Sequence, residues 1–283
     1  IVDLRNKDQQ NVSTVTRPYQ TKKNVVRDRV AMLFCIIAVL LVSLPIFTFI
    51  FLSFVTQYPL NLSFSLINIK KAMEIGIGSY LLNSVTIALV TALVGTASAY
   101  ITAYLTARSR KSFSTMALHM ISIISLAIPG VVLGLSFVLF FEGTFLYQTL
   151  AILVLVNIVH FFASPYLLAY NTLTKFNGNL EDISESLGIS RFKMVFDVYI
   201  PSTQDTIVEM FSYMFVNAMI TISAVSFLAN LRNMPISMLI PQLDSQSMVE
   251  VTAIVSVAIL IVNIAVKALV YLVKRYTLQE KNQ

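Results

Sequence analysis

Long apolar runs alternate with short polar stretches along most of this chain. Six runs reach the length of about 20 residues that an α-helix needs to cross about 30 Å of hydrocarbon. They cover approximately residues 30–56, 79–107, 113–140, 146–174, 204–229 and 250–273. The runs are far too long for β-barrel strands and do not alternate every second residue as such strands do. The pattern therefore predicts an all-α polytopic membrane protein with six transmembrane helices.

The amino-acid composition supports the same class. Hydrophobic residues make up 57% of the 283 positions and charged residues 12%, and the mean hydropathy is +0.77. Soluble globular domains carry roughly 25% charged residues, about twice as many. The net charge of +6 has a simpler source than a nucleic-acid partner, because membrane proteins concentrate lysine and arginine at the cytoplasmic ends of their helices.

Lysine and arginine are distributed unevenly between alternate connections. Sixteen fall in the N-terminal segment, in the connections after the second and fourth runs, and in the C-terminal segment. Three fall in the remaining connections, and Lys267 lies within the sixth run. This asymmetry predicts that both termini are cytoplasmic. We expect a cytoplasmic tail or linker at 1–28, a six-helix membrane domain at 29–276 and a cytoplasmic tail at 277–283.

The connection at 176–202 is the longest polar interruption in the second half of the chain, and the charge distribution places it in the cytoplasm. Asn179 is a candidate N-cap, with Asp182 three residues later near the positive end of a helix. Apolar residues follow at helical spacing, at Leu180, Ile183 and Leu187. Gly188 suits the C-terminal cap. The pattern predicts a short amphipathic helix.

A second amphipathic piece follows Gly188. Its apolar face consists of Phe192, Val195 and Phe196, and Pro201 ends it before the next membrane run. Two short helices outside the bilayer expose an apolar stripe that another protein would cover. The alternative is a loop helix that lies on the membrane surface.

The connection resembles the EAA loop of permease subunits of ABC importers. That loop reads Glu-Ala-Ala, three residues, Gly, nine residues, Ile, one residue and Leu-Pro; here Asp182-Ile183-Ser184 precede Gly188, and Val198-Tyr199-Ile200-Pro201 close the pattern. The first three letters depart from it. The stretches at 81–108 and 126–141 are similar to the same family, and the resemblance covers roughly 30–275.

The resemblance implies a type I ABC importer permease fold in a bacterial inner membrane. It implies that the loop is a coupling helix seated in a cleft of a separate ATPase subunit. The implied coupling residues are Asp182, Ile183, Ser184, Glu185, Gly188 and Pro201. The implied partners are an ATPase dimer, a second permease module (an identical copy, or a fused or heterodimeric half), an extracytoplasmic substrate-binding protein and the lipid bilayer, without nucleic acid.

The chain contains no Gly-x-x-x-x-Gly-Lys-Ser/Thr loop to cradle nucleotide phosphates. We therefore expect ATP hydrolysis on a partner, and no catalytic residue, metal or cofactor in this chain. An intramembrane enzyme is a weak alternative, because the sequence has no His-Glu-x-x-His, no Gly-x-Ser-x-Gly and no pair of mid-span aspartates. A secondary transporter or channel half is another, disfavoured because no acid lies mid-span.

Polar residues within the runs mark a candidate translocation path, because such residues usually face a cavity or the bundle interior. Pro129-Gly130 should break the third run and expose backbone carbonyls. The proposed lining residues are Asn83, Pro129, Gly130, Asn157, His160, Ser164, Asn217 and Thr221. The alternative is hydrogen bonding between packed helices. His119, near the start of the third run, is interpreted as structural.

The substrate class is taken from the stretch at 215–228, which looks like the corresponding stretch of permeases for ferric iron and 2-aminoethylphosphonate. Iron(III) or an organophosphonate is therefore the expected substrate, with polyamine and thiamine permeases as close alternatives. In the first two groups, two modules are often fused, and the start at Ile1 with its polar first 28 residues suits a second module.

Overall fold

The computed structural model describes residues 24–280, and within them the side chains as far as Arg275. The predictions for residues 1–23 and 281–283, which include most of the predicted N-terminal tail, lie outside the described residues. The helices are α1 Val25–Leu52, α2 Ile67–Glu74, α3 Ile77–Arg108, α4 Phe113–Ile123, α5 Gly130–Phe141, α6 Leu150–Phe161, α7 Ala163–Leu173, α8 Leu180–Ser186, α9 Arg191–Met194, α10 Ile200–Ser202, α11 Gln204–Ile220, α12 Leu239–Ser245 and α13 Val249–Glu280. The strands are β1 Val55–Gln57 and β2 Asn61–Phe64.

The described residues divide into two units by their contacts, one up to Phe47 and the other from Thr48 onward. The first unit contains most of α1, a helix in which Leu52 is the only buried residue. Its exposed apolar side chains, among them Phe34, Leu41 and Phe47, match the requirement for a hydrocarbon environment.

Helix α3 is the centre of the second unit and packs against α11, α7 and α6. Its buried positions are mostly small: Ser84, Ala88, Thr91, Ala92, Gly95, Thr96, Ala99 and Ala103. Small side chains let membrane helices approach closely. At Gly95, a Cβ atom would lie 3.0 Å from the terminal methyl of Met214 on α11, so the two helices are in direct contact there.

Three helices in the described part of the chain (α1, α3 and α13) are continuous and long and apolar enough to cross a membrane. Two helix pairs would raise the number to five if each is one broken crossing. The α4–α5 pair bends by 111° and the α6–α7 pair by 51°. With α11, these elements correspond to the six predicted runs, and six crossings stay a prediction.

The break between α4 and α5 confirms the predicted effect of Pro129-Gly130. The backbone leaves the α-helix earlier than expected, in a 3₁₀ turn over Ile124–Ala127, and α5 restarts at Gly130. Proline lacks the N–H that would continue the ladder, so the chain can change direction here.

The predicted fifth run at 204–229 is too long. Helix α11 ends at Ile220, where Thr221 adopts an extended conformation. The irregular segment that follows is buried against the bundle through Ala224, Val225 and Leu228. Irregular backbone at membrane depth is tolerated where it is buried in protein, so apolar composition alone does not distinguish this segment from a helix.

The connection after α1 forms a short antiparallel hairpin, β1–β2, followed by α2. The amide of buried Asn68 donates to the carbonyl of Val55 over 2.7 Å, and the backbone N–H of Tyr58 donates to Glu250 over 2.6 Å. These bonds fix the hairpin to α2 and α13.

Candidate functional site

The predicted coupling loop, residues 176–202, contains α8 as its first helix. Asn179 occupies the N-cap position of α8, as predicted. Its side chain, however, forms no cap bond, and its backbone (φ −88°, ψ 0°) lies outside the extended region that N-caps favour. Instead, Asn177 accepts the Asn179 N–H over 3.1 Å. Glu181 and Asp182 still place negative charge in the first turn, where it interacts favourably with the positive end of the helix dipole.

Gly188 ends α8 as the sequence predicts. Its φ of +68° is left-handed, and its N–H donates to the carbonyl of Glu185 over 3.1 Å. The N–H of Ile189 donates to the carbonyl of Ser184 over 2.8 Å. This pair of bonds is a Schellman cap, so the turn at the end of α8 is fixed by the conformation of one glycine.

The outer face of α8 is exposed. Ile183 and Leu187 are 51% and 68% exposed, and Asp182 and Glu185 are exposed with them. Ser184 points inward, is buried and donates to the carbonyl of Glu181 over 2.9 Å. The predicted coupling residues therefore divide into an outward group on α8 and an inward Ser184.

The second piece of the loop consists of α9, a π-helical turn over Val195–Tyr199 and α10. Phe192 and Phe196 are 81% and 64% exposed, so the predicted apolar face lacks a covering element within the described chain. Pro201 lies in α10, immediately after the π-helical turn, which agrees with its predicted place at the end of this piece.

Arg108, the last residue of α3, ties the loop to the membrane helices. Its guanidinium forms a bidentate ion pair with Glu181 (Nε to Oε1 2.7 Å, Nη2 to Oε2 2.5 Å). It also donates to the carbonyls of Phe176 and Asn177, over 3.1 and 2.8 Å. The Tyr199 hydroxyl donates to Glu181 over 2.6 Å. We call these five residues the Arg108 cluster.

The ion pair of Arg108 and Glu181 is largely shielded from water. The side chain of Arg108 is 4% exposed and that of Glu181 is 21% exposed. Burial acts to raise the pKa of the Glu181 carboxyl, but the hydrogen bonds from Arg108 and Tyr199 outweigh it and hold the pKa below its usual value. Burial and the bond to Glu181 raise the pKa of the Tyr199 hydroxyl. The carboxylate and the phenol are thus held in their charged and neutral forms, respectively.

The sequence gives little warning of this cluster. Arg108 and Glu181 are 73 positions apart, and Tyr199 is 18 beyond Glu181. Arg108 is one of several basic residues in the connections predicted to be cytoplasmic, and Tyr199 occupies a variable position of the EAA pattern. The available signal is that Arg108 directly follows the second run and Glu181 lies in the connection after the fourth, and the charge distribution predicts both connections on the same side of the membrane.

Three of the proposed path residues do not form one helical stripe. Asn157 and His160 lie on α6, whereas Ser164 lies on α7 beyond the 51° bend. Pro165 is the physical reason, because its missing N–H and its ring disrupt the bond to the carbonyl four residues earlier, at Phe161. Ser164 instead accepts the Tyr213 hydroxyl over 3.1 Å.

His160 and Gly130 meet at the α4–α5 break. A Cβ atom on Gly130 would lie 3.1 Å from the His160 ring and 2.4 Å from the Ser223 hydroxyl. Two buried polar atoms, Oδ1 of Asn157 and Nδ1 of His160, have no hydrogen-bond partner among the residues that the structure describes. Unpartnered polar atoms within a bundle are unusual, and they make this region the strongest part of the candidate path.

The remaining proposed path residues bond to protein. The side-chain amide of Asn83 donates to the carbonyl of Arg232 over 3.0 Å, and that of Asn217 donates to the carbonyl of Tyr213 over 2.8 Å. Thr221 is buried, and its carbonyl accepts the Ser237 hydroxyl. These contacts fit the alternative of structural bonding. His119 bonds Tyr166 over 2.6 Å, as its structural interpretation predicts.

Gly134 tests how closely α5 packs against the irregular segment after α11. A Cβ atom there would lie 2.6 Å from the carbonyl oxygen of Ala224, so Gly134→Ala must displace the irregular backbone after α11. We expect a loss of about 1–3 kcal/mol in stability, the usual range for overpacking, seen as a lower Tm in detergent. Gly78→Ala is the control, since no atom lies within 4 Å of its Cβ position. An equal Tm for both variants would contradict the packing.

Two curated relatives align with part of the chain. Both are described as spermidine/putrescine transport system permease protein PotC homologs, one from Mycoplasma pneumoniae and one from Mycoplasma genitalium. They are 35% and 33% identical over 125 residues, which is 43% of this chain. The match spans 43% and 44% of their own lengths, so it covers less than half of each relative.

The fold is similar to solved structures of ABC importers. A bacterial ABC transporter involved in the import of alginate matches with a TM-score of 0.73 and 15% identity, over 89% of this chain and 97% of the other. The MetNI methionine ABC transporter matches with a TM-score of 0.56 and 16% identity, over 74% and 97%. The chain therefore has the predicted all-α, type I ABC importer permease fold.

A family profile decides the membership. Residues 95–278 match the binding-protein-dependent transport system inner membrane component family. This region contains the coupling loop and the α4–α5 break, and it makes up more than half of the chain. The chain therefore belongs to the family of binding-protein-dependent transport system inner membrane components, which are transport subunits and not enzymes.

Proposed function

We propose that this chain is a permease subunit of an ATP-driven importer, in which it forms part of the translocation path and couples it to a separate ATPase. The proposal rests on one observation about α8. This capped helix has an exposed outer face, and Arg108 and Glu181 tie the helix to α3. A rigid connection lets a movement of a partner at α8 reach the membrane helices as a rigid-body displacement.

The proposed partners follow from the same role. An ATPase dimer would contact Asp182, Ile183 and Glu185 on the outer face of α8. A second permease module would complete the path, and an extracytoplasmic binding protein would deliver the substrate. The alginate transporter is described in complex with a pentasaccharide-bound periplasmic protein, which supports this arrangement by analogy of fold. Both termini are proposed to be cytoplasmic.

A polyamine is the substrate class that we propose. The curated relatives are described as spermidine/putrescine permeases, and they do not support the expected iron(III) or phosphonate. Ammonium groups donate hydrogen bonds, and the unpartnered Oδ1 of Asn157 is a buried acceptor. Carbonyls at the α4–α5 break would supply further acceptors.

Transport by the complex that co-purifies with the tagged chain tests this proposal. Reconstituted into vesicles with its binding protein, the complex should take up radiolabelled spermidine or putrescine only when ATP is present at the ATPase. Uptake without nucleotide, or the absence of a co-purifying ATPase, would contradict the coupling role. ATP-dependent uptake of iron(III) or 2-aminoethylphosphonate instead of a polyamine would contradict only the substrate.

A further inference from the structure

An open groove with a volume of about 760 Å³ runs beside the C-terminal half of α3. One wall is α3 from Leu93 to Arg108, and the opposite wall includes Phe192, Phe196 and Phe211. At 1.5 Å per residue, this part of α3 is ~22 Å long. One leaflet of a bilayer with its headgroups is of the same thickness, about half of the full 40–45 Å.

The walls of the groove are strongly apolar and exposed. Leu93, Ile101 and Leu105 on α3 are 56%, 58% and 44% exposed, and Phe192 across the groove is 81% exposed. A contiguous apolar surface of this kind requires an apolar occupant. Its shape, long and open along one side, suits an extended hydrocarbon chain.

The charge at the groove is confined to one end. Its lining includes two arginines, Arg108 and Arg191, and no acidic residue. The Arg108 guanidinium is paired with Glu181. Arg191 is exposed and forms no salt bridge with the side chains that the structure describes, although Asp182 and Glu185 line the polar cleft on its other side. A cation at the predicted cytoplasmic end of an apolar groove is complementary to a phosphate attached to hydrocarbon.

We propose that this groove binds a phospholipid of the cytoplasmic leaflet, with an acyl chain along α3 and the phosphate at Arg191. Ser109, which lines the same end, would offer a hydroxyl to the phosphate. The occupant covers the apolar face of the second piece of the coupling loop. This lipid site is inferred from the groove and from the positive charge at its end, and it depends neither on the proposed substrate nor on the coupling role.

Native mass spectrometry of the purified full-length protein with added phosphatidylglycerol tests the site. Ala97 lines the groove and is exposed, so Ala97→Trp should fill it and remove at least one tightly bound lipid. Val94→Trp is the matched control, because Val94 is 51% exposed on the same helix but does not line the groove. Arg191→Gln should weaken retention about tenfold, as expected for the loss of a charge-assisted bond.

Equal lipid retention by Ala97→Trp and Val94→Trp would overturn the proposal. The proposal would also fail if the protein retained phosphate-free diacylglycerol as strongly as phosphatidylglycerol. A change from dimer to monomer in Ala97→Trp without lipid loss would assign the groove to a second copy of the chain. Photo-crosslinking of wild-type protein by a phosphatidylglycerol with a reactive acyl chain avoids the variants, and labelling should fall on peptides with Leu105 and Phe196. Labelling confined to α1 or α13 would contradict it.

Discussion

Gly188→Pro is expected to abolish ATP-driven uptake while the protein remains in the membrane. The native φ of +68° is inaccessible to proline, whose ring fixes φ near −65°. Proline also removes the N–H that donates to Glu185. The Schellman cap is lost, and the chain leaves α8 in another direction. Gly188 is exposed, and within the described chain no residue beyond its immediate neighbours lies within 4 Å of its Cβ position. We therefore expect the membrane core to be unaffected.

The matched control at this position is Gly188→Asn, since asparagine tolerates left-handed backbone better than other side chains. We expect Gly188→Asn to retain most of the uptake and Gly188→Pro to lose at least about 90% of it, a change of about 1.4 kcal/mol or more in the coupled step. Uptake and ATP hydrolysis are measured together in vesicles at matched membrane expression. Normal uptake by Gly188→Pro would refute the coupling role of α8.

Local signals in the sequence predict much of the fold. The apolar runs locate the long helices because hydrocarbon requires a continuous apolar span. Pro129 acts through its fixed φ and missing N–H, and Gly188 through its access to positive φ, so the break before α5 and the cap of α8 are both foreseeable. The EAA spacing likewise identifies the coupling loop before its geometry is known.

Tertiary contacts account for what the sequence does not predict. The segment after Ile220 is apolar enough for a helix, but its backbone forms turns, such as the bond from the Ser226 N–H to the Ile222 carbonyl, and the Thr221 carbonyl accepts the Ser237 hydroxyl. Asn179 has the residue type of an N-cap, yet the backbone enters α8 in another conformation. Both errors arise because propensity is a weak prior that tertiary context overrides.

The Arg108 cluster is the most consequential feature that depends on tertiary structure. It joins the end of α3, the segment after α7, the first turn of α8 and the π-helical turn before α10. An arginine satisfies this role because its planar fork binds a carboxylate with two bonds and still has donors for carbonyls. Lysine has the charge but not the fork.

Arg108→Ala should therefore be among the most destabilising substitutions in the chain. It removes the guanidinium donors of the Glu181 carboxylate and of the Phe176 and Asn177 carbonyls, and Glu181 then keeps the Tyr199 hydroxyl as a donor. Breaking a buried pair costs about 3–5 kcal/mol. The partial exposure of Glu181 places the expected loss near the lower end. Arg110→Ala, which removes the same charge from an exposed side chain two positions away, should change stability by about 0.5 kcal/mol or less.

A double-mutant cycle separates the coupling energy between Arg108 and Glu181 from the effect of losing either side chain. Thermal unfolding in detergent is compared for Arg108→Gln, Glu181→Gln and the double variant, and we expect a coupling energy of about 1–3 kcal/mol. The lowered pKa of Glu181 means that its stabilisation is present above the ordinary carboxyl pKa and is lost as the pH falls through the folded pKa. The advantage of wild type over Glu181→Gln should accordingly shrink in acid. Additive single effects, or a difference independent of pH, would show that Arg108 does not hold α8 through Glu181.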